Sequence, residues 1–372
     1  MKLSDNQKLL LKDFINSDIF QTKSIENYSE YWNQYASSIN TTLRENNNII
    51  SFGGTGGSAL YESKLTKLKN LLFHTKALFD IKFIFKKINF KRKKFLNSLR
   101  IKYLSWEDGF NAVMSSNEIV SYSDSKYFVN HDHLRNYKSV FKSSKEVIKD
   151  YKKWGPMPIY GKMFIHYYNF NLLQPFILEK ERQNFMEIGG GNGLFASILS
   201  RKYKPQNYIM IDLPETLVNT YCYLSNCSEE YKIYLPNLFK TKESLMKVLN
   251  NNDNHSTNFI FLTPNQKDII PENFVDFSAN MSSFQEMDLR HIQEYFSLIK
   301  KVSKKDALFY CANRIQKQSH GESGIECNSK PNMFYEYPWD NEDERLIDEV
   351  NRLHNSCSKE PTAIRLVKIN KK

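Results

Sequence analysis

Phe185-Met-Glu-Ile-Gly-Gly-Gly-Asn-Gly-Leu-Phe-Ala-Ser-Ile-Leu199 is the stretch that decides the fold of this chain. Phe185 to Ile188 is a short apolar run with the length and flanks of a buried strand. Gly189, Gly190, Gly191 and Gly193 follow it, and Leu194 to Leu199 reads as the start of a helix. A strand, a glycine turn and a helix in that order open the ligand site of a doubly wound α/β sheet. Glycine suits such a turn because the bend is tight and a ligand must approach bare backbone.

The spacing narrows the ligand. Gly189, Gly191 and Gly193 form G-x-G-x-G, whereas a dinucleotide site wants G-x-G-x-x-G. Glu187 places a carboxylate at the strand end, which repels a pyrophosphate and attracts a cofactor carrying an ammonium and a sulfonium. S-adenosylmethionine carries both. Tyr208-Ile-Met-Ile-Asp212 reads as a second buried strand ending in an acid, positioned to take ribose hydroxyls. A glycine turn alone also fits a plain structural loop; the two flanking acids favour the cofactor.

Working outward from residue 185 toward the C-terminus, strands and helices alternate, the pattern of a mainly parallel sheet. Leu213 to Glu215 turns into a helix through Leu224. Lys232 to Leu249 reads as an insertion. Asn258 to Leu262 is the third strand, and Thr263 to Gln266 its outgoing loop, with Asn265 the candidate adenine contact. Phe274 to Met281 is the fourth strand. Ser278 and Asn280 at its end are candidates for the methionine part of the cofactor; the expected cofactor-binding set is Glu187, Gly189, Gly190, Gly191, Gly193, Asp212, Leu213, Asn265, Asn280 and Ser282. Asp288 to Lys301 is the next helix, Ala307 to Asn313 the fifth strand, and Ala363 to Ile369 the last, read as an antiparallel edge.

Toward the N-terminus, residues 1–150 read as a mostly helical accessory region on the acceptor side, and 151–372 as the cofactor domain. Leu3 to Ile15 and Ile25 to Ile39 have helical spacing. Ser51 to Ser58 is glycine-rich but lacks the Gly-Lys-Ser/Thr ending of a nucleotide loop. Lys82 to Lys102 holds nine basic residues and no acid, with apolar residues near one helical face. Its plainer reading is a core-facing helix with a solvated outer side. The other is a surface for an anionic glycolipid or membrane. Tyr151 to Gly161, with two prolines and two glycines, reads as a hinge or lid. The segment from Lys162 to Leu178 reads as a helix, and on it His166 is more simply a packed histidine than a base.

Composition sets the outer bounds. The 372 residues carry Lys plus Arg 52 against Asp plus Glu 41, a net charge of +11, which favours anionic partners. No nucleic-acid recognition module accompanies the charge. The five cysteines are scattered without metal-ligand spacing, and Asp212, Asp276 and Asp288 are too scattered to argue for a metal. Reduced thiols and the lack of an apolar leader or spanning run favour a cytoplasmic protein, peripheral to the inner membrane face on the second reading of the basic stretch.

Four blocks occur together in order: Met-Glu-Ile-Gly-Gly-Gly-Asn-Gly at 186–193, Ile-Asp-Leu-Pro-Glu at 211–215, Asn-Met-Ser-Ser-Phe-Gln-Glu-Met at 280–287, and Leu-Phe-Tyr-Cys-Ala-Asn-Arg at 308–314. From about Trp154 to Arg314 the chain resembles the bacterial sugar O-methyltransferase family, class I enzymes associated with surface polysaccharide synthesis. The resemblance implies a Rossmann-like doubly wound sheet, S-adenosylmethionine as cofactor and a glycan acceptor. The Asp-Leu-Pro turn is also similar to plant-type small-molecule O-methyltransferases, which carry a catalytic histidine in the loop after strand four. Gln285 or Glu286 holds that place here.

A sugar hydroxyl needs its proton taken as it attacks, so a carboxylate or imidazole within reach is wanted. Glu286 is the first candidate base, at the carboxyl end of the sheet where such ligands bind. His291 and His166 come next. Ser283 and Glu286 also have capping-box spacing, a purely structural use of the same residues. Two further functional readings stand beside sugar methylation. One is O-methylation of another hydroxylated small molecule, such as a phenol or lipid. The other is a non-catalytic glycan-assembly protein on the same fold, against which Glu187 and Asp212 together speak. The aromatic stretch Asn328 to Asp340 reads as an acceptor platform or as a C-terminal core patch.

Overall fold

The computed structural model describes residues 3–21, 44–46, 49–51, 166, 169–179, 183–228, 231–251, 257–316, 332–351 and 362–371. Two compact units divide the chain. One comprises Met1–Gly54 with Leu172–Lys372, the other Thr55–Asn171. The expectations for 25–39, 52–58, 82–102 and 151–161 lie outside the described residues, and of the second unit only His166 and 169–171 are described.

In the first unit, α1 (Asp5–Ile15) starts with the reciprocal pair its sequence offers. Ser4 Oγ accepts the Gln7 N–H and Gln7 Oε1 accepts the Ser4 N–H, satisfying two donors that a helix start leaves open. A short helix, α2 (Asp18–Gln21), folds back so that Phe14 and Phe20 meet edge to face at 5.4 Å. A small hairpin pairs β1 (Arg44–Asn46) with β2 (Ile49–Ser51).

The main sheet begins with β3 (Asn184–Ile188), followed by α3 (Leu194–Tyr203), β4 (Asn207–Ile211), α4 (Pro214–Cys227), β5 (Lys232–Tyr234), α5 (Lys242–Leu249) and β6 (Asn258–Leu262). Then come β7 (Val275–Met281), α6 (Leu289–Val302), β8 (Ser303–Arg314), β9 (Glu344–Asn351) and β10 (Thr362–Lys368). The strands lie in the order β5-β6-β4-β3-β7-β8-β10-β9. All pairs from β5 to β8 are parallel, and β10 runs antiparallel to both its neighbours. β3, β4 and β6 are buried along their whole length, which is why they read as unbroken apolar runs rather than alternations. This is the class I methyltransferase arrangement: a doubly wound, mainly parallel, Rossmann-like sheet closed by an antiparallel strand.

Two sequence expectations need correction. The stretch from 232 to 249 is no insertion but a regular strand and helix, and β5 extends the sheet past β6 as its edge. Three residues, none of them buried, are too little for a periodicity to show. The strand at 363–369 is antiparallel as expected but interior, because β9 pairs along its outer side. β9 reads Glu-Arg-Leu-Ile-Asp-Glu-Val-Asn, and its charges suit an exposed edge while hiding its strand character.

Both faces of the sheet are covered. Met186, Ile188, Ile209, Ile211, Ile260 and Leu262 face Leu245 and Leu249 of α5 and Ile292, Leu298 and Ile299 of α6. On the opposite face Phe185 packs against Tyr208, Phe277 and Tyr203 of α3, with ring centroids 5.2–6.0 Å apart. The rings of Phe334, Tyr337 and Trp339 pack with Phe284, Phe296 and Phe309, and Arg365 lies 4.5 Å over Trp339. The described part of the 328–340 stretch is therefore a core patch, leaving Tyr335 exposed. At the amino ends of the strands, three asparagines in register link the sheet crosswise: Asn258 donates to Asn207 at 3.2 Å and Asn207 to Asn184 at 2.8 Å.

Candidate functional site at the carboxyl end of the sheet

The chain leaves β3 for β4 on one side and returns through β7 on the other. The crevice of a doubly wound sheet opens at that reversal, outside the carboxyl ends of the strands. The glycine turn, the acid at 212 and the loop after β7 all meet there.

Gly189, Gly191 and Gly193 have φ of +70°, +58° and +78°, the left-handed region that side chains disfavour. The turn is pinned by Gly189 N–H to the Ile211 carbonyl at 2.8 Å and Gly193 N–H to the Gly190 carbonyl at 3.1 Å. The surroundings of the glycines differ. A Cβ on Gly189 would stand 2.1 Å from Ser283 Oγ, so this glycine lets the β7 loop close on the turn. A Cβ on Gly193 would stand 2.8 Å from Thr220, so that one lets α4 approach. Among the described residues a Cβ on Gly191 would meet nothing within 4 Å, so here the bare backbone faces open space.

Asp212 is joined to that open position. Its Oδ2 accepts the Gly191 N–H at 2.8 Å and its Oδ1 the N–H of Leu213, the N-cap residue of α4, at 2.7 Å. Thr220 completes the frame by donating to the Gly191 carbonyl at 2.5 Å. Burial outweighs the hydrogen bonds from Gly191, Leu213 and Thr216, the nearby Glu286 charge adds to it, and the Asp212 carboxyl is pushed up to about 7.

Glu187 is 1% exposed, beneath Gly190, with the Tyr208 hydroxyl donating to its Oε2 at 3.0 Å. Burial pushes its carboxyl up to about 8, against the Tyr208 hydrogen bond and with the Asp212 charge. The sequence argument of a fixed carboxylate thus becomes one of an acid that holds its proton at neutral pH.

On the β7 side, Asn280 is committed to the protein at both ends. Its amide donates to the Ile188 carbonyl at 3.0 Å and to Ser283 Oγ at 2.5 Å, and its oxygen accepts from Asn313 at 2.8 Å. It braces β3, β7 and β8 under the site. Ser282, exposed with φ +60°, stands at the strand end above it. Gln285 is likewise structural, taking the Arg314 N–H at 2.8 Å. The Ser283–Glu286 capping box does not form, because the Ser283 hydroxyl faces Asn280 and Ile188 and the helix begins only after Asp288. That leaves Glu286 half-buried, close enough to Asp212 for its charge to bear on it. Asn265 is exposed past the end of β6. His291 is buried on α6, its Nδ1 3.6 Å from Asp288. His166 belongs to the second unit.

Sequence reasoning missed Tyr208, Thr216 and Thr220. Tyr208 reads as another apolar strand residue, and its tie to Glu187 depends on the β3–β4 register. The two threonines share the Leu213–Leu224 helix with apolar residues, and nothing in their spacing marks them as supports for the turn.

No protein-family model matches the chain, and no curated protein matches it. Solved structures show a likeness of fold. A Haloferax volcanii complex of the Trm112 methyltransferase activator with a methyltransferase matches at 16% identity and TM-score 0.26, over 40% of this chain and 52% of that one. A proposed sarcosine dimethylglycine methyltransferase from Galdieria sulphuraria matches at 12% identity and TM-score 0.37, over 55% of this chain and 85% of that one. A Haemonchus contortus phosphoethanolamine N-methyltransferase, solved with S-adenosylhomocysteine, matches at 16% identity and TM-score 0.27, over 42% of this chain and 30% of that one. The chain thus spans about half the length of the first and under a third of the third. The assignment to the class I methyltransferase fold rests on the strand order and the glycine turn described above.

Proposed function

We propose that the chain is an S-adenosylmethionine-dependent O-methyltransferase acting on a sugar hydroxyl, in the synthesis of a surface polysaccharide or glycolipid. The observation that carries the methyltransferase part is the Gly191–Asp212 hydrogen bond at the reversal of the sheet. It sets a left-handed glycine facing open space beside an acid on the next strand, a fit for the adenosine and methionine parts of the cofactor. The sugar part rests on the resemblance of the 280–287 and 308–314 blocks.

The bound cofactor would supply a methyl group on a sulfonium. The chain's own residues do the rest. The glycine turn offers backbone at close range, and Asp212, fixed by two N–H groups, keeps lone pairs for ribose hydroxyls. Glu286, beyond the end of β7, stands to accept the acceptor's proton directly or through one water. Holding two reacting groups together and away from water is a large part of such a transfer.

The test is turnover. The full chain with S-adenosylmethionine and a panel of sugar nucleotides, surface-glycan fragments, phenols and lipids should release S-adenosylhomocysteine with a sugar acceptor. Release with a phenol or lipid alone would overturn the sugar assignment and leave the methyltransferase one.

A further inference from the structure

Asn313, the next-to-last residue of β8, is fully buried and uses both ends of its amide. Its Oδ1 accepts the Gln285 N–H at 3.2 Å, and its Nδ2 donates to Asn280 Oδ1 at 2.8 Å and to Cys311 Sγ at 3.2 Å. Asn280 passes the hydrogen bond on to the Ile188 carbonyl at 3.0 Å, while its Oδ1 also takes the Phe284 N–H at 3.3 Å. A backbone donor at one end and a backbone carbonyl at the other fix which way both amides point. The relay therefore runs in one direction, from Gln285 in the loop after β7, through Asn313 and Asn280, to Ile188, the last residue before the glycine turn. Aligned hydrogen bonds in a dry interior strengthen one another, and a gap in such a chain leaves buried groups unpaired. The loop is gripped a second time from β8, where the Arg314 N–H donates to Gln285 Oε1 at 2.8 Å and the Ala312 carbonyl accepts the Ser282 N–H at 2.9 Å.

We propose that Asn313 is a positioning residue: with Asn280 it ties the loop that carries Glu286 to the end of β3, and so fixes the base relative to the methyl donor over the glycine turn. The inference rests on the reading of Glu286 as the base in the function proposed above. Glu286 follows directly on Gln285, and its own N–H donates to the Ser283 carbonyl at 3.0 Å, so holding Gln285 holds the start of Glu286 as well. Its charge bears on Asp212 at the end of β4, which puts the loop within electrostatic reach of the cofactor side of the crevice. Methyl transfer needs the reacting atoms in line, and a misplacement of about 1 Å can cost on the order of 100-fold in rate. A base loop anchored on the strand that leads into the cofactor turn meets that demand. The relay also gives a physical link between three of the sequence blocks, 186–193, 280–287 and 308–314. Asn313, wholly buried, acts on the reaction only through the loop.

Amide hydrogen exchange and kinetics on the full chain test this. In the native protein the Phe284 and Gln285 N–H groups should exchange slowly, like those of β4; exchange at the rate of an exposed loop overturns the inference without any variant. Asn313→Ala should speed both amides by about tenfold or more and leave β4 unchanged. Its dissociation constant for S-adenosylhomocysteine should stay within about twofold of native, while kcat on the panel of sugar nucleotides and surface-glycan fragments falls by roughly tenfold or more. In a Glu286→Gln background the same substitution should lower kcat no further, because the group it displaces is already gone. Asn313→Ser takes its place should the alanine variant not fold. An equal fall of kcat in both backgrounds, or a loss of S-adenosylhomocysteine affinity as large as the loss of kcat, makes the role of Asn313 purely structural and overturns the inference. A low kcat in Glu286→Gln with a native one in Asn313→Ala removes this inference alone. A native kcat in Glu286→Gln, or no turnover by the native protein on the panel, takes down the reading of Glu286 and this inference with it.

Discussion

The Gly191 N–H donates to Asp212 Oδ2 at 2.8 Å across the ends of two neighbouring strands. The bond ties the open glycine of the turn to the acid that would hold the ribose, so the shape of the turn and the charge of the site are one arrangement. Asp212→Ala should therefore lose affinity for S-adenosylhomocysteine by roughly 10- to 100-fold, the scale of a hydrogen-bonded charged group at about 1.5–3 kcal/mol. Titration calorimetry reads it, and unchanged affinity would remove Asp212 from the site.

Two glycines of the turn, Gly189 and Gly191, should behave differently. Gly189→Ala meets Ser283 Oγ at 2.1 Å and its Cβ at 2.3 Å as well as a φ of +70°. Strain and overpacking together should cost about 2–4 kcal/mol in denaturant unfolding. Gly191→Ala meets no neighbour among the described residues and should cost only the left-handed strain, about 1–2 kcal/mol, while blocking the ligand. Equal stability losses for the two would contradict the geometry.

Much of this was legible before the fold was known. The apolar runs at Phe185, Tyr208 and Asn258 mark buried parallel strands because every residue in them is covered, and glycines followed by an acid on the next strand mark the crevice. What was illegible depends on pairing. β9 carries its charges on an edge, so no alternation reveals it. Asn280 sits where a ligand contact belongs, yet its amide is consumed by Ile188 and Ser283, a choice set by the closeness of β3 to the β7 loop. Tyr208 reaches Glu187 only once β3 and β4 are in register.

The raised acids give the ligand-free protein a pH signature. Glu187 is raised from 4.5 to about 8 and Asp212 from 3.8 to about 7, so between those limits the folded state binds more protons than the unfolded one. Their contribution is fully present below about pH 4 and is lost as pH rises through 7 to 8. The melting temperature of the ligand-free protein should fall between pH 6 and 8.5 by on the order of 5 °C, less so in Glu187→Gln. A melting temperature that rises over this range by way of these two acids, seen as a steeper rise in wild type than in the variant, would refute the assignment.

Glu286→Gln keeps the shape of the side chain and removes the base. Its kcat with a sugar acceptor should drop by roughly 10²- to 10⁴-fold with cofactor affinity nearly unchanged. A drop under about tenfold moves the base elsewhere, with His291 and then His166 next to be replaced.

The most direct measurement is calorimetric titration of the native chain with S-adenosylmethionine, S-adenosylhomocysteine and a nicotinamide dinucleotide. The G-x-G-x-G turn, with Glu187 beneath it and Asp212 beside it, predicts saturable one-to-one binding of the two sulfur nucleosides and none of the dinucleotide. Tighter binding of the dinucleotide, or no binding of either sulfur nucleoside, would contradict the account.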